Sequence, residues 1–320
     1  MSLDSISVGA FRSHHALSEL AGKTIAITGA SGFIGGRLLD RLAAVDCEVL
    51  RVARGEIGAP AGWHRVADAD LVFHLGAQTS TAVAAKNPSA DFAANVAPLR
   101  DLLAACRERR RQPVVIFAGT VTQAGLVARL PVNEDAADDP VTVYDRHKLI
   151  AEQDLKQAAA EGTIRGVSLR LASVYGPGGH GRNPDRDVLN RMIRAALRGD
   201  TLTVYGAGEF VRDYLFIDDA VNAFLMAATG GDAVNGRHFV IGSGQGCTIR
   251  AAFELVASRV YARTGRYVPV IDREPSAALS AIERRNFIAN SSAFSAATGW
   301  RAECSLRDGI DRTIEACLCG

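Results

Sequence analysis

The sequence has few lysines, few aromatic residues and no long apolar run. Only four of its 36 basic residues are lysines, and the rest are arginines. The formal net charge of +1 argues against a nucleic-acid-binding surface. No apolar stretch approaches the roughly 20 residues that a membrane-spanning helix needs. We therefore expect neither nucleic acid nor a membrane among the partners.

Six cysteines are scattered without the spacing of a metal site or of a disulfide framework. We expect reduced thiols, no bound metal and a cytoplasmic protein. Residues 1–20 lack the apolar core of a signal peptide, and we expect residues 1–21 to form a loose arm. At 320 residues the chain can bury a large core as one two-lobed unit.

A glycine-rich loop follows the first apolar run. The β-branched run Thr24–Thr28 precedes glycines at positions 29, 32 and 35, and Arg37–Leu42 reads as a helix. In a strand-turn-helix unit, Gly29 would make the turn, Gly32 would let a pyrophosphate approach, and Gly35 would let the helix pack closely. The helix N-terminus offers unpaired N–H groups to phosphates. This pattern predicts a dinucleotide site.

The second informative motif is Tyr-Asp-Arg-His-Lys at residues 144–148. Tyr144 and Lys148 share one face of a predicted helix that runs from Tyr144 to Ala160. A nearby ammonium and an oxidised nicotinamide would lower the tyrosine pKa from its usual value near 10. Tyr144 could then exchange a proton with a carbonyl oxygen as hydride moves. Without the glycine loop, a simple surface contact between Tyr144 and Lys148 would be the better interpretation.

Two further apolar runs, Leu71–Gln78 and Pro113–Thr120, are typical of buried parallel strands. Ligands bind at the carboxyl ends of such strands. Thr79 and Ser80 follow the first run, and we expect them to touch substrate or cofactor. His74 lies inside that run, and we expect it to be structural.

The end of the second predicted strand, Cys47–Arg54, bears on the choice of cofactor. An NAD enzyme usually places Asp or Glu there to bind the adenosine 2′-hydroxyl. Here Ala53 brings no carboxylate, and the guanidinium of Arg54 could pair with a 2′-phosphate. We therefore predict NADP (as NADPH), with NAD as the second choice. Arg37 and Arg51 are weaker candidates for the contact with the 2′-phosphate. The alternative is that Arg54 is a solvated loop residue.

Together these motifs resemble the short-chain dehydrogenase/reductase superfamily, and residues 28–35 resemble its extended branch, the NAD-dependent epimerase/dehydratase family. The resemblance covers most of the chain from about Gly22. It implies an α/β fold, a Rossmann-type doubly wound parallel sheet with a smaller C-terminal substrate-binding lobe. We expect the NADP-binding domain at residues 22–175, with 202–242 returning to it, and the substrate lobe at 176–201 and 243–320.

The resemblance also implies the cofactor-binding residues. Residues 75–77 correspond to a family segment whose backbone lies along the cofactor, and Lys148 would hold the nicotinamide ribose. The full set is Gly29, Ser31, Gly32, Phe33, Ile34, Gly35, Arg54, Leu75, Gly76, Ala77, Asn95, Tyr144, Lys148, Leu171 and Val174.

Catalytic and substrate residues follow from the same resemblance. A Ser or Thr hydrogen-bonds the substrate oxygen in the family, and the spacing to Gly125 selects Thr120 to act with Tyr144 and Lys148. Thr122 could instead cap its own backbone. The family's diphosphate-binding arginine corresponds to Arg212, for which a salt bridge to an aspartate is the alternative. The expected substrate-binding residues are Thr79, Ser80, Thr122, Asn183, Arg212 and Arg273.

The residues after Thr120 narrow the reaction. Dehydratases of the family carry Asp-Glu there, whereas this chain has Val121 and Thr122, and valine cannot transfer a proton. Residues 140–153 resemble the NDP-4-keto-6-deoxyhexose 4-ketoreductases of deoxysugar biosynthesis. We therefore predict NADPH-dependent reduction of the C4 ketone of a dTDP-linked keto-deoxysugar. A nucleotide-sugar 4-epimerase with tightly bound NAD and a non-catalytic NADP-binding sensor are the alternatives.

Two further expectations concern the helices. Residues 55–69 are too few for the helix and strand that the family has there, so we expect a missing or very short strand. Helices near Asp91–Arg109 and Tyr144–Ala160 would, by the resemblance, form the four-helix bundle of a homodimer.

Overall fold

The computed structural model describes residues 15–53, 60–178, 187–274 and 282–319. The strands of this described part are β1 (Thr24–Thr28), β2 (Glu48–Val52), β3 (Leu71–His74), β4 (Val114–Thr120), β5 (Arg165–Leu171), β6 (Ser173–Tyr175), β7 (Leu202–Tyr205), β8 (Val211–Phe216), β9 (Arg237–Ile241), β10 (Gly246–Thr248) and β11 (Val270–Arg273).

The helices between them are α1 (Phe33–Leu42), α2 (Pro60–Ala67), α3 (Thr81–Lys86), α4 (Pro88–Asn95), α5 (Ala97–Arg109), α6 (Val143–Ala160), α7 (Val188–Arg198), α8 (Ile217–Thr229), α9 (Ile249–Thr264), α10 (Ser292–Thr298) and α11 (Leu306–Cys319). No helix of the described ranges is both long enough and apolar enough to cross a membrane.

A six-stranded sheet in the order β2-β1-β3-β4-β5-β9 forms the centre of the fold, and all its pairings are parallel. Its side chains alternate between two apolar cores. Ile25 and Ile27 of β1 face the core shared with α1 and α8, whereas Ala26 faces the core shared with α2, α5 and α6. Both faces of a parallel sheet must be covered, and helices cover both here. The predicted Rossmann-type doubly wound fold is therefore confirmed.

The interval after β2 is short, as the sequence indicates. Its described residues form the single helix α2, and β3 follows within four residues. Among the described residues no strand lies beyond β2, which forms one edge of the sheet. The extra strand that the family resemblance implies at this edge is thus not found in the described part of the chain.

The segment 91–109 contains a helix break. Helix α4 ends at Asn95 and α5 begins at Ala97, with Pro98 in its first turn. Proline has no N–H to donate and suits the first turn of a helix, so a new helix begins here. Helix α6 begins one residue earlier than expected, at Val143, because Thr142 and Asp145 form a capping box.

The smaller lobe is built from two further sheets. β8 lies between β6 and β10 in one sheet, and β7 pairs with β11 in the other. Helices α7, α9 and α11 pack against one another beside them. Of the segment 202–242, only β9 joins the central sheet and only α8 packs on it. The division into domains stays a prediction.

An ion pair joins α1 and α8 on one face of the central sheet. Arg37 of α1 donates to Asp218 of α8 through Nε at 2.6 Å and Nη2 at 3.1 Å. Such a bidentate pair fixes both partners in orientation. Arg37 is therefore committed to a structural contact and is a poor candidate for binding a 2′-phosphate.

A buried ion pair joins α6 to the sheet. The fully buried Glu152 accepts hydrogen bonds from Arg170 Nη2 at 2.6 Å, Ser168 Oγ at 2.7 Å and Lys156 Nζ at 2.9 Å. Burial alone would raise the pKa of Glu152, but the hydrogen bonds and charge of Arg170 prevail and lower it to about 2. The carboxylate is thus ionised in the core and tied to β5.

We predict that Glu152→Gln lowers the free energy of unfolding by about 1–3 kcal/mol, because the buried Arg170 guanidinium loses one of its two carboxylate partners and keeps only Asp138. Urea denaturation at pH 7 measures the change. Glu161→Gln, at the exposed end of the same helix, is the matched control and should leave the unfolding midpoint unchanged.

The loss of free energy of unfolding in Glu152→Gln should also depend on pH. The pKa of Glu152 is about 2 in the folded protein and 4.5 ordinarily, so its contribution is present above pH 4.5 and is lost as pH falls towards 2. The difference between the wild type and Glu152→Gln should shrink over this range. A difference that does not change with pH would contradict the charged pair.

Candidate active site

The glycine loop lies where the strand order changes direction. β1 is flanked by β2 and β3, so its carboxyl end opens the crevice in which doubly wound sheets bind ligands. Gly29 has φ of +70°, and a Cβ there would lie 2.7 Å from the backbone N of Gly76. A Cβ on Gly35 would lie 2.3 Å from the carbonyl O of Gly29. Only glycine fits at both positions.

The first turn of α1 faces this crevice with its backbone N–H groups. Gly32 is the N-cap and offers no side chain to pair with them, and Ser31 and Gly32 are exposed. The Thr28 hydroxyl accepts a hydrogen bond from Gly76 N at 3.0 Å, which joins the loop to the end of β3. An uncapped helix N-terminus beside close-packed backbone fits a dinucleotide diphosphate.

The other predicted cofactor residues lie at three places. Leu75, Gly76 and Ala77 follow β3 and are half-buried. Buried Asn95 donates to the carbonyl O of Gln78 at 2.9 Å, which ties α4 to that segment. Phe33 and Ile34 open α1 after the glycine loop, and Leu171 ends β5 beside Thr120 at the carboxyl edge of the central sheet. Val174 lies in β6, which belongs to the three-stranded sheet.

The end of β2 carries no acid among the described residues. Val52 pairs with Thr28, so Ala53 follows beside the glycine loop, and it is exposed. Arg51 is exposed in β2 opposite Ile27. Arg54 lies outside the described residues, so its pairing with a 2′-phosphate stays a prediction.

The three predicted catalytic residues belong to two adjacent elements. Thr120 ends β4, and Tyr144 and Lys148 lie in the first two turns of α6, which packs against β4. Lys148 is buried, with Nζ 3.9 Å from the centroid of the Phe117 ring. Burial lowers the pKa of Lys148 to about 7, although the negative charges of Glu152 and Asp91 oppose the shift. The face of the aromatic ring replaces part of the stabilisation that an ammonium group receives from water when it is exposed.

His74 is buried and packs against Phe117. Its ring stacks on Phe117 with a centroid distance of 6.0 Å, and both its nitrogens are buried without a hydrogen-bond partner among the described residues. Burial lowers the pKa of His74 to about 3, and the charge of Lys148 acts in the same direction. His74 is therefore neutral and structural, as its place inside the strand suggests.

Of the two threonines, Thr120 caps a helix and Thr122 does not. Thr120 caps the short 3₁₀ helix Val121–Ala124 and accepts from Thr122 N at 3.3 Å. Thr122 instead donates its hydroxyl proton to Asp145 at 2.5 Å. The interpretation of Thr122 as a threonine capping its own backbone is therefore wrong. The two hydroxyl oxygens are 3.0 Å apart.

Sequence reasoning missed the ion pair beside these threonines. Asp145 is buried and accepts from Arg285 Nη2 at 3.2 Å. Arg285 lies 140 residues further along the chain, in the smaller lobe. The Thr142-x-x-Asp145 capping pattern could have marked the aspartate, but no local signal marks its arginine.

Arg212 is held by backbone carbonyls. Its Nη1 donates to the carbonyl oxygens of Val211 and Arg285, and its Nη2 donates to those of Ile282 and Glu283. Among the described residues no aspartate forms a salt bridge with Arg212, so the alternative interpretation finds no support there. A diphosphate would find both terminal nitrogens engaged, and only Nε remains for it.

The remaining substrate candidates are less closely grouped. Thr79 and Ser80 are exposed after β3, and Ser80 caps α3 by accepting from Val83 N at 3.3 Å. Arg273 is exposed at the end of β11, in the two-stranded sheet. Asn183 lies outside the described residues. The described ranges hold no group of three or more His, Cys, Asp or Glu side chains that could bind a metal.

We predict that Lys148→Met stabilises the fold at pH 6 by on the order of 1–3 kcal/mol, because it removes a buried charge. The pKa of Lys148 is about 7 when folded and 10.5 ordinarily, so the cost of burying the charge is complete below pH 7. That cost is relieved as pH rises towards 10.5, and the gain should shrink with it.

Chemical denaturation between pH 6 and 10 measures this gain. Lys86→Met, at an exposed position, is the control and should change nothing. A Lys148→Met protein that is less stable than the wild type at pH 6 would show that the ammonium stabilises the fold.

We predict that Gly35→Ala lowers the free energy of unfolding by about 1–3 kcal/mol, because the new Cβ meets fixed backbone. Gly36→Ala is the matched control. Its Cβ would find only the carbonyl O of Ala30, at 4.0 Å, so alanine should be neutral or stabilising in the helix. Urea midpoints compare the two, and equal midpoints would argue against the close approach of α1 to the loop.

Comparisons with known proteins agree with this geometry. A UDP-glucose 4-epimerase from Mycolicibacterium smegmatis is 29% identical over 317 residues, which cover 90% of this chain and 96% of that protein. The crystal structure of a UDP-glucose 4-epimerase from Thermotoga maritima with UDP-glucose has a TM-score of 0.80 at 26% identity, covering 92% of this chain and 98% of that one. A UDP-glucose 4-epimerase from Brucella ovis in complex with NAD has a TM-score of 0.79 at 27% identity, covering 91% and 97%.

The family model points the same way and covers about two thirds of the chain. It matches residues 25–242, from the first strand to the end of the central sheet. The chain therefore belongs to the NAD-dependent epimerase/dehydratase family.

Proposed function

We propose that this protein is a nucleotide-sugar 4-epimerase. The observation that carries a hydride-transfer site is the buried Lys148 one turn from Tyr144, on the helix that packs beside Thr120. The full-length relative described above is a 4-epimerase, which favours epimerisation over the net 4-ketoreduction that the sequence motifs favour. Val121 supplies no acid after Thr120, which argues against loss of water.

The bound nicotinamide would supply and accept the hydride at C4. The protein's own residues handle the proton. Tyr144, as phenolate, takes the proton from the C4 hydroxyl when that carbon is oxidised, and returns it when the ketone is reduced from the opposite face. The Lys148 ammonium favours the phenolate by its charge, and Thr120 holds the C4 oxygen.

The dinucleotide would be held by the residues of the glycine loop. The cradle that Gly29 and Gly35 keep free of side chains, and the uncapped N-terminus of α1, fit its diphosphate. Leu75 to Ala77 and Leu171 lie along the same edge. Lys148 would reach the nicotinamide ribose.

A second candidate function is NADPH-dependent reduction of the C4 ketone of a dTDP-linked keto-deoxysugar. The observation that favours it is Ala53, because the residue after β2 offers no carboxylate to repel a 2′-phosphate. Net reduction consumes one cofactor per turnover, so an exchangeable NADPH suits it better than a tightly held NAD.

The partners of the protein are also proposals. We infer a UDP- or dTDP-linked hexose as substrate and a homodimer formed through α5 and α6. These two helices lie side by side, joined at their exposed edges by Arg100–Asp154 and Arg107–Glu161 ion pairs. We retain a cytoplasmic location as a further expectation.

An assay of two reactions separates the candidates. The purified protein is incubated with UDP-glucose without added cofactor, and formation of UDP-galactose is followed by chromatography. In parallel, dTDP-4-keto-6-deoxyglucose is given with NADPH or NADH, and absorbance at 340 nm is followed. Formation of UDP-galactose supports the epimerase, and consumption of NADPH supports the reductase. If neither reaction occurs with these or other nucleotide sugars, the non-catalytic sensor is the remaining candidate.

In whichever reaction is found, we predict that Tyr144→Phe lowers kcat at least ~10²-fold, the lower range for loss of a general acid or base. Tyr261→Phe is the matched control, since Tyr261 is 58% exposed on α9, and its rate should equal that of the wild type. Undiminished turnover in Tyr144→Phe would remove the tyrosine from the mechanism.

A further inference from the structure

Asp91 is a buried carboxylate that receives three side chains. It lies on α4 and is 1% exposed. Its Oδ1 accepts hydrogen bonds from Gln78 Nε2 at 2.6 Å and from Asn95 Nδ2 at 3.0 Å. Its Oδ2 lies 2.6 Å from His147 Nδ1. These partners come from the segment after β3, from α4 itself and from α6, so one carboxylate joins three parts of the chain.

The charge of Asp91 fixes how each partner is turned. An ionised carboxylate only accepts hydrogen bonds, so each of the three partners must present an N–H group to it. The Gln78 and Asn95 amides therefore turn their nitrogens towards Asp91, and His147 carries a proton on Nδ1. A buried charge is costly unless it is hydrogen-bonded, so the three orientations stabilise one another.

Gln78 and Asn95 extend this order to residues 75–80. The Gln78 side chain binds the backbone of Ser80 twice, accepting from its N and donating to its carbonyl O at 2.9 Å. Asn95 donates to the carbonyl O of Gln78 at 2.9 Å. Near the start of the segment, Gly76 N donates to a hydroxyl at the end of β1. The segment is therefore held at both ends.

Residues 75–80 border the crevice of the central sheet. They follow β3, which pairs with β1, and ligands of doubly wound sheets bind at the carboxyl ends of these strands. His147 brings α6 to the same carboxylate, one residue before Lys148. The contact between Asp91 and His147 thus sets the spacing between one border of the crevice and the helix that carries the lysine.

One acceptor of this cluster has no donor. Asn95 uses the two hydrogens of its Nδ2 on Asp91 and on the carbonyl O of Gln78. Its Oδ1 is buried and has no hydrogen-bond partner among the described residues. A buried acceptor without a donor costs free energy, and a hydroxyl of a bound dinucleotide would supply one. Asp91 thus fixes which side of the Asn95 amide is left for a ligand.

We propose that Asp91 and His147 are positioning residues for the nicotinamide dinucleotide, which hold residues 75–80 at the distance from the catalytic helix that the cofactor requires. The inference goes beyond the proposed function, because both candidate reactions need the cofactor in the same place. It also gives the histidine of the Tyr-Asp-Arg-His-Lys motif a task that neither Tyr144 nor Lys148 performs.

The test compares dissociation constants for two ligands. Any dinucleotide that co-purifies is removed with charcoal, and NADH and NADPH are then titrated by their fluorescence. UDP, which has no nicotinamide, is titrated by calorimetry as the reference. We expect His147→Leu to raise the dissociation constant of the preferred dinucleotide at least ~5-fold, because it removes an N–H donor from a charged acceptor. The dissociation constant of UDP should stay the same.

Two variants show whether the N–H group is the important part of His147. His147→Asn offers its Nδ2 at the position of the histidine Nδ1, so it should restore most of the affinity for the dinucleotide. His64→Leu is the matched control. His64 makes the same kind of contact, 2.7 Å from Glu108, but the two side chains are 38% and 67% exposed. Its removal should leave the dinucleotide affinity unchanged.

Gln78→Leu disturbs the other side of the same carboxylate and should also weaken the dinucleotide. Because both changes act through Asp91, His147→Leu should add less in a Gln78→Leu background than it does in the wild type. If His147→Leu does not fold, Gln78→Leu decides by the same ratio of the two dissociation constants.

Three results would overturn the proposal. The first is an unchanged dinucleotide affinity in both His147→Leu and Gln78→Leu. The second is an equal loss for UDP and the dinucleotide, since that result reports only a weakened fold. The third is a His147→Asn protein as weak as His147→Leu, because the N–H group would then be irrelevant.

The same experiment separates this inference from the proposed function. If UDP binds to none of the proteins, the proposed nucleotide-sugar substrate is wrong. The dinucleotide affinities then still decide the roles of Asp91 and His147, with thermal unfolding midpoints as the reference in place of UDP.

Discussion

The burial of the Lys148 ammonium is the constraint on which the site depends. A charge without water is costly unless something nearby compensates it. Here the compensation comes from the Phe117 ring and from the more distant negative charges of Glu152 and Asp91, and it is partial, since the pKa falls to about 7. A cation so little solvated acts strongly on a neighbouring phenol, because no water screens it.

Helix α6 must hold this unfavourable charge in place, and it does so with two buried ion pairs. Asp145, Lys148 and Glu152 occupy successive turns of the helix, and all three are buried. Each carboxylate binds an arginine from another element, Arg285 from the smaller lobe and Arg170 from β5. Asp145 and Glu152 thus anchor the helix on the N-terminal and C-terminal sides of Lys148. Neither carboxylate forms a direct ion pair with the lysine.

The sequence predicts the features that rest on local physics. Gly29 and Gly35 are needed because backbone lies where a side chain would be, and this follows from the strand-turn-helix pattern alone. The alternating cores of β1 follow from its apolar run. The contacts that Arg212 and Asp145 make with Arg285 could not be predicted in the same way, because they span 73 and 140 residues and depend on how the smaller lobe folds back.

The identity of the reaction is the part that residue types leave most open. Thr120, Tyr144 and Lys148 serve a hydride transfer in either direction, since the proton moves to or from the same oxygen. What distinguishes an epimerase from a reductase is which form of the substrate enters and whether the cofactor leaves. Both properties depend on the shape and charge of the pocket around these three side chains. A motif records which residues are present, whereas the choice between the two reactions lies in the pocket that surrounds them.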